Sequence, residues 1–182
     1  MTYTSVADIL AANEQIRRRL TTRLESLSET QRTARPAAGG WSVAEIVEHL
    51  SITEQRLGQL LQMMLEKAAE SGAAAQSPPQ FTPFSLDEFA ERARGQKFEA
   101  PEFIRPSGGV ALPDSLASLS ESRAAVEALR PRLEATDLSA AQYPHPAFGP
   151  LNIAQYLAFI GLHEERHLRQ IERLVETLDA EG

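Results

Sequence analysis

The chain has 182 residues, enough for one domain spanning 1–182 with a substantial buried core. A formal net charge of −7, with no basic run to follow a phosphate backbone, argues against nucleic acid as the main partner. The absence of cysteine excludes disulfides, thiolate metal sites and cysteine nucleophiles, so any metal must be held by His, Asp, Glu or water. No apolar run approaches a membrane span, and residues 1–10 lack the basic-then-apolar order of a secretory signal. A soluble cytoplasmic protein is expected, with no membrane partner.

Helical periodicity dominates. The first helix is expected from about Ser5 to Leu27, with Val6, Ile9, Ile16, Leu20, Leu24 and Leu27 on one face. Arg17, Arg18, Arg19 and Arg23 fall mostly off that face and read as solvated surface. Residues 30–40 read as a loop ending in Gly39 and Gly40. The second helix has a clear start: Ser42 can cap it, and Glu45 three residues on completes a capping box. Val43, Ile46, Val47, Leu50, Leu57, Leu61 and Met64 form its buried stripe, with His49 near the stripe's edge. Residues 72–83 are rich in Ala, Gly, Ser and Pro and read as a loop, and Phe84–Arg94 as a short helix capped by Ser85. Residues 95–113 carry Pro101, Pro106, Gly108 and Gly109 and read as irregular, so 72–113 forms a long insertion. Connections of that length are usually lids, binding loops or disordered segments.

The third helix starts near Pro113 and Asp114, with Leu116, Leu119, Val126, Leu129 and Leu133 inward and Pro131 disturbing its end. Residues 143–150 read as a turn, and Asn152 caps the fourth helix. No strand pattern persists. The expected fold is all-α, a four-helix bundle with a long irregular connection between its second and third helices.

On the last helix the inward positions run Ile153, Tyr156, Ile160, His163, His167, Ile171, Leu174 and Leu178. Two of them are imidazoles at i, i+4, one turn apart on one face, so both can reach one metal ion. Two core histidines satisfied by hydrogen bonds are the bland alternative. Each buried imidazole costs a few kcal/mol, on the order of magnitude, unless its nitrogens are paired, and a metal satisfies both at once. His49 is the best-placed third ligand, although it can also be read as a half-exposed edge residue. His145, between Pro144 and Pro146, is either a rigid residue at a pocket mouth or an ordinary turn residue. Three histidines would leave the metal an open position.

The string His163-Glu164-Glu165-Arg166-His167 matches H-E-x-x-H literally. In zinc proteases that Glu is the general base. A protease is discounted here: Gln170 and Arg173 stand in the last two slots of the extended motif, no His follows His167, and no strand is available to align a peptide. Glu164 is the one candidate for acid–base work, although it lies about 100° round the helix from His163. Phe81, Phe84, Phe98 and Phe103 can wall a pocket or simply pack the connection onto the bundle.

At these residues the chain resembles the DinB superfamily, the DinB-like or YfiT-like metalloproteins. The resemblance is carried by Gly40-Trp41-Ser42-Val43-Ala44-Glu45-Ile46-Val47-Glu48-His49-Leu50, by His145-Pro146-Ala147-Phe148-Gly149-Pro150, and by the stretch from His163 to Ile171. It covers nearly the whole chain. It implies a four-helix bundle with one divalent ion held by His49, His163 and His167. Relatives of that family include S-transferases that use bacillithiol or similar thiols and a mycothiol-dependent maleylpyruvate isomerase. The long 72–113 segment departs from the compact family form, so substrate specificity does not carry over. The reading is a metal-dependent transferase or hydrolase acting on a small molecule, with a low-molecular-weight thiol as a candidate cofactor and a monomeric or homodimeric state. The alternative is a non-catalytic metal-binding or stress-response module. The donor set suits Zn²⁺ or Ni²⁺ and also admits Fe or Mn.

Overall fold

The structure, a computed structural model, describes residues 2–37, 39–70, 81–87 and 99–181. Four long helices carry it: α1 (Val6–Glu25), α3 (Val43–Glu70), α4 (Leu112–Ala128) and α6 (Ile153–Glu181). Two short ones, α2 (Glu29–Thr33) and α5 (Arg130–Ala135), accompany them. In packing, α1 lies along α6, and α3 sits between α6 and α4. No described helix is long and apolar enough to cross a membrane.

Local chemistry sets the helix starts. Ser5 caps α1 by accepting from the Asp8 N–H at 3.0 Å. At α3 the expected capping box forms: the Ser42 hydroxyl accepts from the Glu45 N–H (3.3 Å), and the Glu45 carboxylate accepts from the Ser42 N–H (2.9 Å). Asn152 and Gln155 exchange the same pair of bonds at α6, both 2.9 Å. Pro131 ends the third helix as expected, and α5 restarts with that proline in its first turn, where the missing N–H costs nothing.

Three expectations need correction. Residues 30–40 are not all loop, because Ser28 and Gln31 form a capping box that starts α2. Phe84–Ser85 is not helical but a short strand, β2, antiparallel to β1 (Thr2–Tyr3); the Ser85 hydroxyl accepts from the helical Asp87 N–H at 3.1 Å, as expected of a cap, and residues 88–94 lie outside the described residues. Residues 143–150 are not only a turn. Strands β3 (Gln142–His145) and β4 (Gly149–Asn152) pair antiparallel, with Tyr143 opposite Leu151 and His145 opposite Gly149. Prolines 144 and 150 face each other in that register, which hid the strand pattern.

Two apolar clusters fill the bundle. One gathers Ile9, Leu61, Met64, Val126, Leu157 and Ile160 at one end. The other gathers Leu20, Val47, Leu50, Leu119, Leu168 and Ile171 at the opposite end. Along every long helix the break between them falls at charged or imidazole side chains: Arg17 on α1, Glu54 on α3, Arg123 on α4, His163, Glu164 and His167 on α6, with His49 of α3 reaching the same level to meet the α6 imidazoles. A polar layer therefore crosses the middle of the bundle.

Close approach of α1 and α6 depends on Gly161. A Cβ there would stand 2.2 Å from Asn13 Oδ1. Asn13 is buried and donates from Nδ2 to the Leu157 carbonyl at 2.9 Å, tying the two helices where they come nearest.

Candidate metal centre

Within the polar layer three imidazoles meet. His49 comes from the second turn of α3, and His163 and His167 from successive turns of α6. Their ligand atoms all lie within 4.8 Å of one another. His163 Nε2 is 3.3 Å from His49 Nε2 and 3.2 Å from His167 Nε2. His49 is not at a solvated edge: it is buried, as is His167, while His163 keeps some exposed surface within a dense surround.

The outer nitrogens are held. His49 Nδ1 is 2.7 Å from the Ile104 carbonyl, which can only accept, so Nδ1 carries the proton and Nε2 presents a lone pair. His167 Nδ1 is 2.8 Å from Gln170 Oε1, with the same consequence. Two bare Nε2 atoms thus point at a third. A single Nε2–H on His163 can satisfy only one of them. A cation among the three satisfies all. Tetrahedral ligands about 2.0–2.1 Å from one ion stand about 3.3 Å apart, which matches the two spacings above. The residues present fit a divalent metal.

Charge state agrees. Burial pulls the His49 pKa below the usual histidine value, against the pull of the Ile104 carbonyl. His163 falls well below it, through burial and then through the neighbouring charges of His167, His49, Arg166 and His145. His167 falls to about 3, from burial and from His49. All three are therefore neutral at pH 7, the form that binds metal.

The connection before α4 supports the site from outside. Ser107 gives its N–H and its hydroxyl to the buried Glu48 carboxylate (both 2.7 Å), and Gly108 adds its N–H at 3.0 Å. Gly108 has φ +75°, and a Cβ there would stand 3.0 Å from Glu45 Oε1, so glycine alone allows this close seat on α3. Pinned there, the segment holds the Ile104 carbonyl on His49.

Beside the triad lies the other half of the polar layer, which the sequence reading missed. Arg17 pairs with Glu54 and Glu164. Arg123 pairs with Glu54 at 2.8 Å and with Glu164 at 2.9 Å. Four alternating charges, one from each long helix, close a ring. Arg17 is thus no surface residue: its side chain is 12 % exposed, against 76 % for Arg18. Both oxygens of Glu164 are engaged by arginines. This corrects the expectation that Glu164 is free for acid–base work at the metal: its position on α6 turns it into the ring.

The aromatic side chains of the connection also fall elsewhere. Phe81 and Phe84 pack on the bundle, with Phe84 5.5 Å from Tyr3 ring to ring. Phe103 is exposed under the Arg56 guanidinium, and Phe98 lies outside the described residues. The rings that border the triad are Trp41, 5.0 Å from His49, and Phe159, 5.8 Å from His163. His145 stacks on Phe148 at 4.7 Å and meets Phe159 edge-on at 4.6 Å. A cavity of about 340 Å³ opens elsewhere, walled by Phe81, Phe84, Leu133 and Asp137. No histidine lines it.

Residues 12–171 match the model of the DinB superfamily. The chain belongs to the DinB superfamily. The uncharacterized protein YuaE of Bacillus subtilis (strain 168) is 25 % identical to it over 162 residues, covering 86 % of this chain and 90 % of YuaE. Two solved four-helix bundles share the fold, each with a TM-score of 0.62. TT2238 is 19 % identical, with 93 % of this chain and 99 % of TT2238 covered. YfiT from Bacillus subtilis, described as a probable metal-dependent hydrolase with an unusual four-helix bundle topology, is 17 % identical, with 95 % of this chain and 87 % of that chain covered. In this DinB chain the polar layer carries two centres side by side, one of imidazoles and one of ion pairs.

Proposed function

We propose that this DinB protein holds one divalent metal on His49, His163 and His167 and uses it for transfer or hydrolysis on a small molecule. The observation that carries the proposal is the pair of fixed Nδ1–H donors, His49 to the Ile104 carbonyl and His167 to Gln170, which leave bare Nε2 atoms converging on a third. The description of YfiT as a probable metal-dependent hydrolase supports the same reading. Zn²⁺ and Ni²⁺ suit the donors best. Held by three neutral ligands, such an ion keeps its charge and strongly lowers the pKa of a water or thiol bound to it.

The chain's own residues do the rest. Ile104 and Gln170 orient two imidazoles, and Trp41 and Phe159 keep water from the sides of the triad. A low-molecular-weight thiol as cosubstrate and a cytoplasmic setting complete the proposal, with neither nucleic acid nor membrane as partner.

Metal analysis tests it. The isolated protein is expected to carry about one divalent ion per chain, as one triad dictates. Single replacements His49→Ala, His163→Ala and His167→Ala are each expected to lose it while the helical signal persists. Full occupancy in the double replacement of His163 and His167 refutes the site. The reaction class is then read from metal-dependent turnover over a panel of thiols, electrophiles and esters. Casein cleavage that needs the metal would favour a protease instead, and no turnover with any of the panel would favour a binding module.

A further inference from the structure

His145 has a place in the molecule that neither the triad nor the ring of charges explains. It sits at the end of β3, between two prolines, paired across the hairpin with Gly149. Its ring is clamped between the face of Phe148 and the edge of Phe159. Phe159 precedes His163 by one turn of α6 and borders it at 5.8 Å. The rings of His145, Phe159, His163 and His167 thus form one continuous row leading into the metal centre. His145 also lies within electrostatic reach of His163.

Its tautomer is legible from the hairpin. The Ala147 backbone N–H donates to His145 Nδ1 at 3.1 Å. A nitrogen that accepts carries no proton, so the neutral ring bears its hydrogen on Nε2. That Nε2–H has no partner among the described residues. A slot between two phenylalanines would be filled at lower desolvation cost by a third hydrocarbon ring. The slot instead holds a rigid donor, separated by the Phe159 ring from His163 and from the two imidazoles whose Nε2 atoms present lone pairs.

We propose that His145 is a ligand-binding residue of this centre, its Nε2–H donating a hydrogen bond to the anionic atom of a small molecule held opposite the three imidazoles. The ligand class is a small anion, or a thiolate, whose donor atom can accept that bond while facing the metal. The inference rests on the metal reading above, and its test separates the two.

Co²⁺-loaded protein is titrated with azide and followed by visible absorption. His145→Phe keeps the stacked ring without the donor, and His145→Gln restores a donor. Both variants are expected to bind Co²⁺ within about twofold of wild type. The azide dissociation constant is expected to rise about tenfold or more in His145→Phe, as for a lost hydrogen bond to a charged acceptor, and about threefold or less in His145→Gln. Unchanged azide affinity in His145→Phe overturns the inference, as does loss of Co²⁺, which would make His145 a metal ligand. A wild-type spectrum unmoved by azide also overturns it. Failure of wild type to bind Co²⁺ overturns the metal reading and this inference with it. Long-range ¹H–¹⁵N correlation on the metal-free protein gives a readout independent of any variant's folding: His145 protonated on Nε2 supports the proposal, and protonated on Nδ1 overturns it.

Discussion

Arg123→Met removes one corner of the buried ring of charges and leaves Glu54 and Glu164 to share Arg17. Three hydrogen bonds go with it: two to Glu54, at 2.8 and 3.4 Å, and one to Glu164, at 2.9 Å. Breaking a buried ion pair from one side costs about 3–5 kcal/mol, because a charge is left behind in a poor solvent. The orphaned carboxylate has one escape, which is to take up a proton. Burial already raises the Glu164 pKa above its ordinary value of 4.5, even with both arginines pulling it down. Protonating a carboxyl of pKa 4.5 costs about 3.4 kcal/mol at pH 7 and about 0.7 kcal/mol at pH 5, at roughly 1.4 kcal/mol per pH unit. The sign follows. In the variant the folded state binds a proton that the unfolded state has released, so stability relative to wild type falls as pH rises from 5 to 7. Urea unfolding followed by circular dichroism should show a loss of about 3–5 kcal/mol at pH 7, equivalent to about 6–20 °C in Tm, shrinking by about 2–3 kcal/mol at pH 5. Adding Glu164→Gln to Arg123→Met should recover much of the loss at pH 7 by restoring neutrality. A loss under about 1 kcal/mol, or one equal at both pH values, would refute the idea that the ring is a closed and desolvated unit.

Gly161→Ala should destabilise the bundle by about 1–3 kcal/mol. Overpacking against Asn13 and loss of its bond to the Leu157 carbonyl outweigh the ~1 kcal/mol gain in helix propensity. Pairing it with Asn13→Ala should relieve most of the clash, and thermal unfolding of the single and double variants checks both statements. Gln170→Ala removes the acceptor that orients His167, and metal titration should show affinity lower by about 10–100-fold with the fold intact.

Much of the architecture could be read from the chain alone, because it depends on neighbours close in sequence. The capping boxes at Ser42 and Asn152 join residues three apart, and the inward imidazoles of α6 are four apart. Helix geometry converts such spacings directly into contacts, so the helix starts and the shared face of His163 and His167 were legible before any tertiary structure. The short box at Ser28 and Gln31 and the Ser5 cap on Asp8 obey the same rule and were passed over.

The tertiary structure decided what depends on partners far away in sequence. His49 looked like an edge residue because helical period says which side faces inward but not what waits there. The facing α6 and the seated Ile104 carbonyl bury it and set its tautomer. Arg17 looked solvated for the same reason: a charge off the apolar stripe is normally in water, and only Glu54 and Glu164, 37 and 147 residues away, give it a counter-charge inside the bundle. Glu164 was drawn toward the metal by its place in H-E-x-x-H, whereas two arginines from other helices hold its carboxylate in the ring. A polar side chain can be buried only where its partners are, and the assembled bundle alone brings those partners together.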